Sequence, residues 1–156
     1  NHPARELVRY HYGKRRTGMI LLGHSQAVAN WVARINGKAF HPPFEAIGII
    51  DKNGTLTGGY VFTGYNGDGV ELSLAGRGVV SREGWRVVLD YVFSQLGCVR
   101  MQMHTSRRNK RVCKNLHELF PKGFEGIAKR FYGKDDGVCF ALTIDELGAF
   151  KARWRL

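Results

Sequence analysis

The sequence is short of acidic residues and cysteines, and it lacks any long apolar run. Its 156 residues contain 13 Asp and Glu against 24 Lys and Arg, which gives a formal net charge of +11 at pH 7. Because no run reaches about 18 apolar residues, no transmembrane helix is predicted. The three cysteines (Cys98, Cys113 and Cys139) are widely spaced and odd in number. That spacing disfavours a disulfide framework and a zinc knuckle, and it is typical of a reducing cytoplasm.

The composition is that of an ordinary soluble globular protein. Apolar residues make up 44 % of the chain and charged residues 24 %, and a chain of this length can bury a core of its own. We therefore expect one domain over residues 1–156, with residues 1–16 as a basic N-terminal arm. No apolar segment follows the basic start, so we expect no signal peptide and a cytoplasmic protein.

The positive charge is concentrated in three segments, Arg5–Arg16, Arg107–Lys114 and Lys151–Arg155. A surplus of this size favours a polyanionic partner such as a nucleic acid or a ribonucleoprotein. It is equally compatible with a solvated basic surface that helps to recruit a phosphate-rich small molecule. The charge alone leaves both interpretations open.

Apolar periodicity and turn residues predict a mixed order of strands and helices. The predicted strands are Thr17–Leu22, Phe44–Ile50, Thr55–Thr63, Val70–Ala75, Cys98–His104, Gly126–Tyr132 and Val138–Ile144. The predicted helices run from Ser25 to Ile35, from Ser81 to Leu96 and from Asn109 to Phe120, with Ser25 and Ser81 as N-caps and Asp145 capping a final helical turn.

This order predicts an α+β fold in which helices cover a mixed sheet. The strand–helix–strand unit from Val70 to His104 predicts a parallel pair with a right-handed crossover. The helix starts near Arg82 and Asn109 would then lie beside the ends of those strands. Free backbone amides at a helix start are suited to binding a pyrophosphate.

Three segments together resemble a known superfamily. The first is Leu89-Asp-Tyr-Val-Phe-Ser-Gln-Leu-Gly-Cys-Val-Arg-Met-Gln-Met-His104, the second is Asn109 at a helix start, and the third is Gly123-Phe-Glu-Gly126. In this combination they resemble the acyl-coenzyme A N-acyltransferases, known as the GNAT superfamily. The resemblance extends over roughly residues 44–147. It is nearest to the ribosomal-protein N-acetyltransferases and to small phage and bacterial relatives.

The resemblance implies an enzyme that transfers an acetyl group from acetyl-coenzyme A to a primary amine. The implied acceptor is a macromolecule, either a protein N-terminus or an aminoacyl-tRNA. The implied cofactor contacts are Leu74, Ala75, Gly76, Arg82, Gly84, Arg86 and Asn109. The phosphate loop departs from the pattern of the family, since Arg82 and Arg86 stand near positions where glycines normally admit the phosphates. Arginine forks could supply charge there instead.

The proton carriers are less clear from the sequence. The tyrosine that usually acts as the acid in this superfamily is absent, because Leu116 occupies its position and His117 follows it. Glu71, Ser73, His104 and His117 are the candidate catalytic residues, since histidine and glutamate can move protons and a serine can order a water. The alternative is a protein that binds nucleic acid or modifies a nucleobase on the same fold, with or without acetyltransferase activity.

Overall fold

The computed structural model describes residues 7–12 and 16–156, and its centre is one sheet of eight strands. The strands are β1 Leu7–Tyr12, β2 Arg16–Leu21, β3 Phe44–Ile50, β4 Leu56–Thr63, β5 Gly69–Gly76, β6 Arg100–Ser106, β7 Phe124–Tyr132 and β8 Asp135–Thr143. Their order across the sheet is β1-β2-β3-β4-β5-β6-β8-β7. β5 and β6 are parallel, and the other neighbours are antiparallel. The predicted α+β class and the predicted parallel pair are both confirmed.

Four helices cover the two faces of the sheet. They are α1 Ser25–Asn36, α2 Arg82–Leu89, α3 Lys110–Leu119 and α4 Ile144–Trp154, and α2 continues as a π-helical segment over Asp90–Gln95. The buried residues of α1, which are Val28, Ala29 and Val32, pack against Ala46, Val61 and Ala75 on one face. α2, α3 and α4 contribute to the larger cluster on the opposite face, which surrounds the fully buried Trp85. None of the helices in the described ranges is both long and apolar enough to cross a membrane.

The interpretation of residues 1–16 as an N-terminal arm is wrong for residues 7–12. These residues form β1, which pairs along its whole length with β2. Pairing with a neighbouring strand supplies backbone hydrogen bonds that local composition does not reveal. Residues 1–6 and 13–15, which belong to the same predicted arm, lie outside the described residues.

Ser25 is not the N-cap of α1, because His24 occupies that position and provides no side-chain cap. Instead, Ser25 Oγ donates to Glu45 Oε2 at 2.8 Å and accepts from the Ala46 N–H at 3.0 Å. These bonds tie the start of α1 to β3. The cap predicted for Ser81 is confirmed, since its hydroxyl accepts from the Gly84 N–H at 3.0 Å.

The end of the chain is more ordered than its sequence predicts. α4 has 11 residues rather than one turn, and Thr143 rather than Asp145 is its N-cap residue. Asp145 lies in the first turn, where a negative charge opposes the positive end of the helix dipole. Phe150 is fully buried and packs edge-on against Trp85, with a ring-centroid distance of 5.5 Å. This distant aromatic contact stabilises the longer helix.

The starts of the strands β6 and β8 also differ from the prediction. β6 begins at Arg100 rather than Cys98, and β8 begins at Asp135 rather than Val138. The hairpin between β7 and β8 is therefore tighter than expected. The second half of the predicted helix from Ser81 to Leu96 is π-helical, as shown by the bond from the Leu96 N–H to the Tyr91 carbonyl at 2.9 Å.

Gly84 allows α2 to approach the sheet closely. A Cβ atom at this position would collide with the Tyr60 hydroxyl, which itself donates to the Val79 carbonyl at 2.5 Å. Gly148 lies in the interior of α4, and a Cβ atom there would meet nothing within 4 Å. The two glycines therefore share a helical setting but differ in the space around them.

We expect Gly84→Ala to destabilise the protein by about 1–3 kcal/mol, because the overpacking cost exceeds the gain in helix propensity. Gly148→Ala is the matched control and should stabilise the protein by about 0.5–1 kcal/mol through propensity alone. Urea unfolding of both variants measures the difference. Equal stabilisation by both substitutions would contradict the close approach at Gly84.

Candidate functional site

The cleft begins where the parallel strands β5 and β6 part. They pair only through Gly69 with Arg100, Val70 with Met101, and Glu71 with Gln102, although both strands continue beyond that point. The gap opens into a cleft of about 830 Å³. Its wall includes the separated stretches of both strands, the start of α3 and the loop after α1. A cleft of this size is typical of a small-molecule site.

A histidine and a glutamate meet at the point of separation. His104 Nδ1 lies 2.9 Å from Glu71 Oε1, and the two side chains are only 13 % and 26 % exposed. The hydrogen bond from His104 lowers the pKa of Glu71, with burial acting in the opposite direction. In the neutral tautomer that donates from Nδ1 to the ionised Glu71 carboxylate, Nε2 is the nitrogen that can accept a proton.

Glu71 is held in turn by a polar chain across the sheet. Gln102 also hydrogen-bonds Glu71 and contributes to the lowered pKa of that carboxyl group. The Gln102 Oε1 accepts from Arg100 Nε at 3.2 Å and from Nη2 at 2.9 Å, so its amide N–H groups are left for Glu71. Arg100 makes a two-pronged ion pair with Glu125, with N–O distances of 2.7 and 2.5 Å. The chain connects three strands and fixes the orientation of the pair.

Phe131 covers the other side of the histidine ring. The two rings stack with centroids 4.4 Å apart and planes 12° apart. An irregularity in β7 between Ala128 and Tyr132 presents Phe131, with Arg130 at a φ of 53°. The Phe131 side chain lies over Gly137, where a Cβ atom would be 2.9 Å from Phe131 Cβ. Such bulges re-aim side chains, and this one places an aromatic wall beside His104.

Two further side chains, Lys38 and Tyr132, lie near the His104–Glu71 pair. Lys38, in the loop after α1, holds its Nζ 4.0 Å from the Phe131 ring centre and 5.2 Å from the Tyr132 ring centre. Tyr132 lines the cleft. Burial raises the pKa of Tyr132 to about 12, with a further contribution from the nearby charge of Glu71. Its phenol therefore stays protonated at neutral pH.

No protein-family model and no curated protein matches this sequence. Solved structures do match it. A GCN5-related N-acetyltransferase from Brucella melitensis superposes with a TM-score of 0.64 at 18 % identity, over 99 % of this chain and 86 % of that chain. A protein from T. thermophilus, described only as a proposed acetyltransferase, gives a TM-score of 0.68 at 16 % identity, over 95 % of both chains.

The spermidine/spermine N-acetyltransferase SpeG from Vibrio cholerae also superposes, with a TM-score of 0.56 at 18 % identity over 69 % of both chains. The fold is that of the GCN5-related N-acetyltransferases. At these identities the likeness concerns architecture, and it covers nearly the whole chain in the first two comparisons. The GNAT fold predicted from the sequence is thereby confirmed.

Six of the predicted site residues line the cleft of this GNAT fold: Ser73, Leu74, Ala75, Gly76, His104 and Asn109. Glu71 reaches the cleft through its bond to His104. The Leu74 carbonyl already accepts from Asn36 Nδ2 at 3.3 Å, so a ligand must use other backbone groups of the strand. Asn109 is the N-cap of α3, and its Oδ1 accepts from the Val112 N–H at 3.2 Å. Its role towards a cofactor stays a prediction.

The other predicted residues lie elsewhere in the described part of the chain. Arg82 and Arg86 are exposed on α2, and Arg82 Nη2 donates to the Arg155 carbonyl at 2.6 Å. The N–H of Gly84 is used by the Ser81 cap. His117 packs against Phe124 and Phe140, with centroid distances of 5.4 and 4.8 Å. None of these four forms part of the wall of the cleft that the described residues build.

The wall of the cleft combines a separated strand with the start of α3. At that start the Val112 N–H donates to the Asn109 side chain. The Lys110 N–H donates to the Arg108 carbonyl at 2.9 Å, so these two amides are already engaged. Trp85 also lines the cleft, and among the described residues its indole N–H is the one fully buried side-chain group without a hydrogen-bond partner. Because Trp85 is fully buried, this donor lies behind the surface of the cleft and is not exposed to a ligand there.

Sequence reasoning missed Lys38, Gln102, Phe131 and Tyr132. Gln102 occupies an alternating position of a strand, and Tyr132 precedes a glycine turn, so neither stands out from the sequence. Phe131 enters the site only through the bulge in β7. Lys38 follows the glycine that ends α1, and nothing in its local sequence connects it to a residue more than 60 positions away.

We expect the stabilising effect of Glu71 to depend on pH. The folded-state pKa of Glu71 is lowered from its ordinary value of 4.5, so the ionised carboxylate stabilises the fold above that pH. This contribution disappears as pH falls through the lowered pKa. The difference in free energy of unfolding between wild type and Glu71→Gln should therefore be largest near neutrality and shrink below pH 4.5.

Urea unfolding from pH 7 down to about 3 measures this difference. Glu118→Gln, which changes an exposed carboxylate on α3, controls for the loss of one negative charge. A Glu71→Gln difference that stays constant over the whole range would contradict the interaction with His104.

Proposed function

We propose that this protein is an acetyl-coenzyme A-dependent N-acetyltransferase that acts on a primary amine. The observation that carries the proposal is the His104–Glu71 pair at the point where β5 and β6 separate. A proton acceptor is needed there, because an amine acceptor is mostly an unreactive ammonium ion at neutral pH. The GNAT fold of the acetyltransferases to which the chain is similar supports the same conclusion.

Acetyl-coenzyme A, when bound, supplies a thioester whose acetyl carbon is open to attack. In the proposal, Ser73 to Gly76 and Asn109 hold the donor along the cleft. His104 Nε2 removes a proton from the acceptor amine, and Glu71 stabilises the imidazolium that results. Ser73 lines the cleft two residues beyond Glu71 and can order a water between amine and base. Gln102 and Arg100 act as positioning residues for Glu71.

Tyr132 is the proposed source of the proton for the departing thiolate. It lines the cleft and lies within electrostatic reach of Glu71. The tyrosine of α3 that usually plays this part in the superfamily is replaced by the buried Leu116. The phenol of Tyr132, on a different strand, remains protonated at neutral pH and therefore has a proton to donate.

The proposed acceptor is the amine of a macromolecule, either a protein N-terminus or an aminoacyl-tRNA, as in the ribosomal-protein branch that the sequence resembles. The net charge of +11 supports an acceptor within an acidic assembly, and a cytoplasmic location follows for either acceptor. The Vibrio cholerae neighbours act on spermidine. A polyamine is therefore the small-molecule alternative for this chain.

We expect His104→Gln to lower turnover of any accepted amine about 100-fold or more, since a positioned base contributes that much. Acetyl-coenzyme A affinity, measured by titration calorimetry, should be unchanged. Tyr132→Phe should lower turnover as well, and most at high pH, where few other donors are protonated. His24→Gln, at the start of α1, is the control. Full activity of His104→Gln would remove the pair from the mechanism.

Asn109 has two possible roles, and two substitutions separate them. Asn109→Ser retains a side-chain cap for α3, whereas Asn109→Ala removes the cap at a cost of about 1 kcal/mol of stability. If the amide contacts the cofactor, both variants should bind acetyl-coenzyme A roughly fivefold more weakly in calorimetry. Wild-type affinity for Asn109→Ser would show that Asn109 only caps the helix.

A second function has its own supporting observation. Arg107, Arg108, Lys110, Arg111 and Lys114 are all exposed around the start of α3. The two ion pairs in this group are long, at 3.8 Å for Arg107 with Asp136 and 3.6 Å for Arg108 with Asp135, so their charges remain largely free. A protein that binds nucleic acid or modifies a nucleobase on this fold would use such a surface.

Calorimetry and salt titration decide between the two functions. The enzyme should bind acetyl-coenzyme A at micromolar to millimolar concentration. The absence of binding at about millimolar concentration would contradict the enzyme proposal. Retention of a mixed-sequence RNA that falls steeply with added salt, without cofactor affinity, would favour the nucleic-acid function instead.

A further inference from the structure

The lining of the cleft carries more basic than acidic side chains. Lys38, His41 and His104 line the cleft, and Asp135 is the one carboxylate among the described lining residues. Asp135 faces Arg108 at 3.6 Å, and the nearby Glu71 is engaged by His104. Each of these two carboxylates therefore already has a cationic or hydrogen-bonding neighbour, and the cleft offers a second ammonium group more basic than acidic side chains.

The positive charge of Lys38 is not paired with a carboxylate of the described residues. The Lys38 Nζ rests instead on the faces of Phe131 and Tyr132. An aromatic face attracts a cation without neutralising it. The ammonium is thus held in one place while its field still reaches the cleft. The nearby Lys38 charge also contributes to the lowered pKa of Glu71, so the field extends to the proton acceptor.

A positive charge beside the base affects the two kinds of acceptor in opposite ways. It repels a molecule with several ammonium groups, such as a polyamine. It attracts a molecule whose amine lies near a carboxylate or a phosphate, and it favours the neutral form of that amine. The Phe131 ring contacts both groups, since His104 stacks on it at 4.4 Å and the Lys38 Nζ lies 4.0 Å from its centre.

We propose that the acceptor is a primary amine carried next to an anionic group, a carboxylate or a phosphate, and that Lys38 binds this group. The proposal rests on the acetyl-transfer function proposed above. The amine nitrogen forms a bond to the acetyl carbon as the carbon–sulfur bond breaks. The amine loses a proton to His104, and the departing thiolate gains one from Tyr132. The products are an N-acetylated acceptor and coenzyme A.

The test compares acceptors of opposite charge at saturating acetyl-coenzyme A, with release of free thiol as the measurement. The peptide pair consists of a tetrapeptide with two aspartates after an N-terminal alanine and a tetrapeptide with two lysines there. Phosphoethanolamine and ethanolamine form the phosphate pair, and spermidine is the polyamine. We expect the acidic peptide, phosphoethanolamine or both to exceed their matched partners and spermidine in kcat/KM. The two pairs distinguish a carboxylate from a phosphate.

Two variants then assign the preference to Lys38. Lys38→Gln should raise KM for the preferred anionic acceptor about two- to fivefold with little change in kcat, as expected for one exposed ion pair. Lys38→Glu should reverse the preference within the matched pair. Lys52→Gln, in the exposed turn between β3 and β4, removes the same charge away from the cleft and should leave KM unchanged.

The outcomes separate failure of this inference from failure of the enzyme proposal. Turnover of spermidine or the basic peptide in preference to the anionic acceptors would overturn the inference and leave acetyl transfer intact. An anionic preference that Lys38→Glu does not alter would also overturn it. If no acceptor is acetylated and calorimetry detects no binding of acetyl-coenzyme A, the enzyme proposal itself fails, and this inference fails with it.

Discussion

The separation of β5 from β6 is the constraint on which the rest of the structure depends. Only three residue pairs join these parallel strands before they part, and sheet hydrogen bonding would otherwise close the space between them. The gap can persist because the buried side chains of α2, α3 and α4 support one face and α1 supports the other. It exposes strand backbone to a ligand while the remaining strands stay paired. The cleft is therefore a consequence of the sheet topology.

The same separation explains why polar groups collect at its base. Glu71 and Gln102 are the last paired residues, and His104 is the next residue of β6 on the same face. Burying part of a carboxylate costs free energy unless the group is hydrogen-bonded. The polar chain through Gln102, Arg100 and Glu125 supports Glu71 in this way. The result is a hydrogen-bonded His104–Glu71 pair between aromatic and cationic neighbours. The proposed role as proton acceptor and the proposed anionic acceptor both rest on this arrangement.

Much of the architecture was predictable from local patterns. β3 has the predicted bounds, Ser81 caps α2, and Asn109 lies at the start of α3, because apolar periodicity and capping residues act over a few positions. The sequence also identified Glu71 and His104 singly, as residue types that carry protons. It did not connect them, since 33 positions separate them and their contact depends on the register of a parallel pair.

By itself, the sequence determined the order of strands and helices, the mixed sheet and the surplus of positive charge, because these follow from short-range periodicity and composition. Only the tertiary structure decided which side chains meet. The bulge in β7 turns Phe131 onto His104, and the loop after α1 brings Lys38 over that ring. Gly84 packs closely on Tyr60 and lies outside the wall of the cleft. The physical reason is that such contacts join residues distant in sequence, where register and close packing, and not local preference, set the geometry.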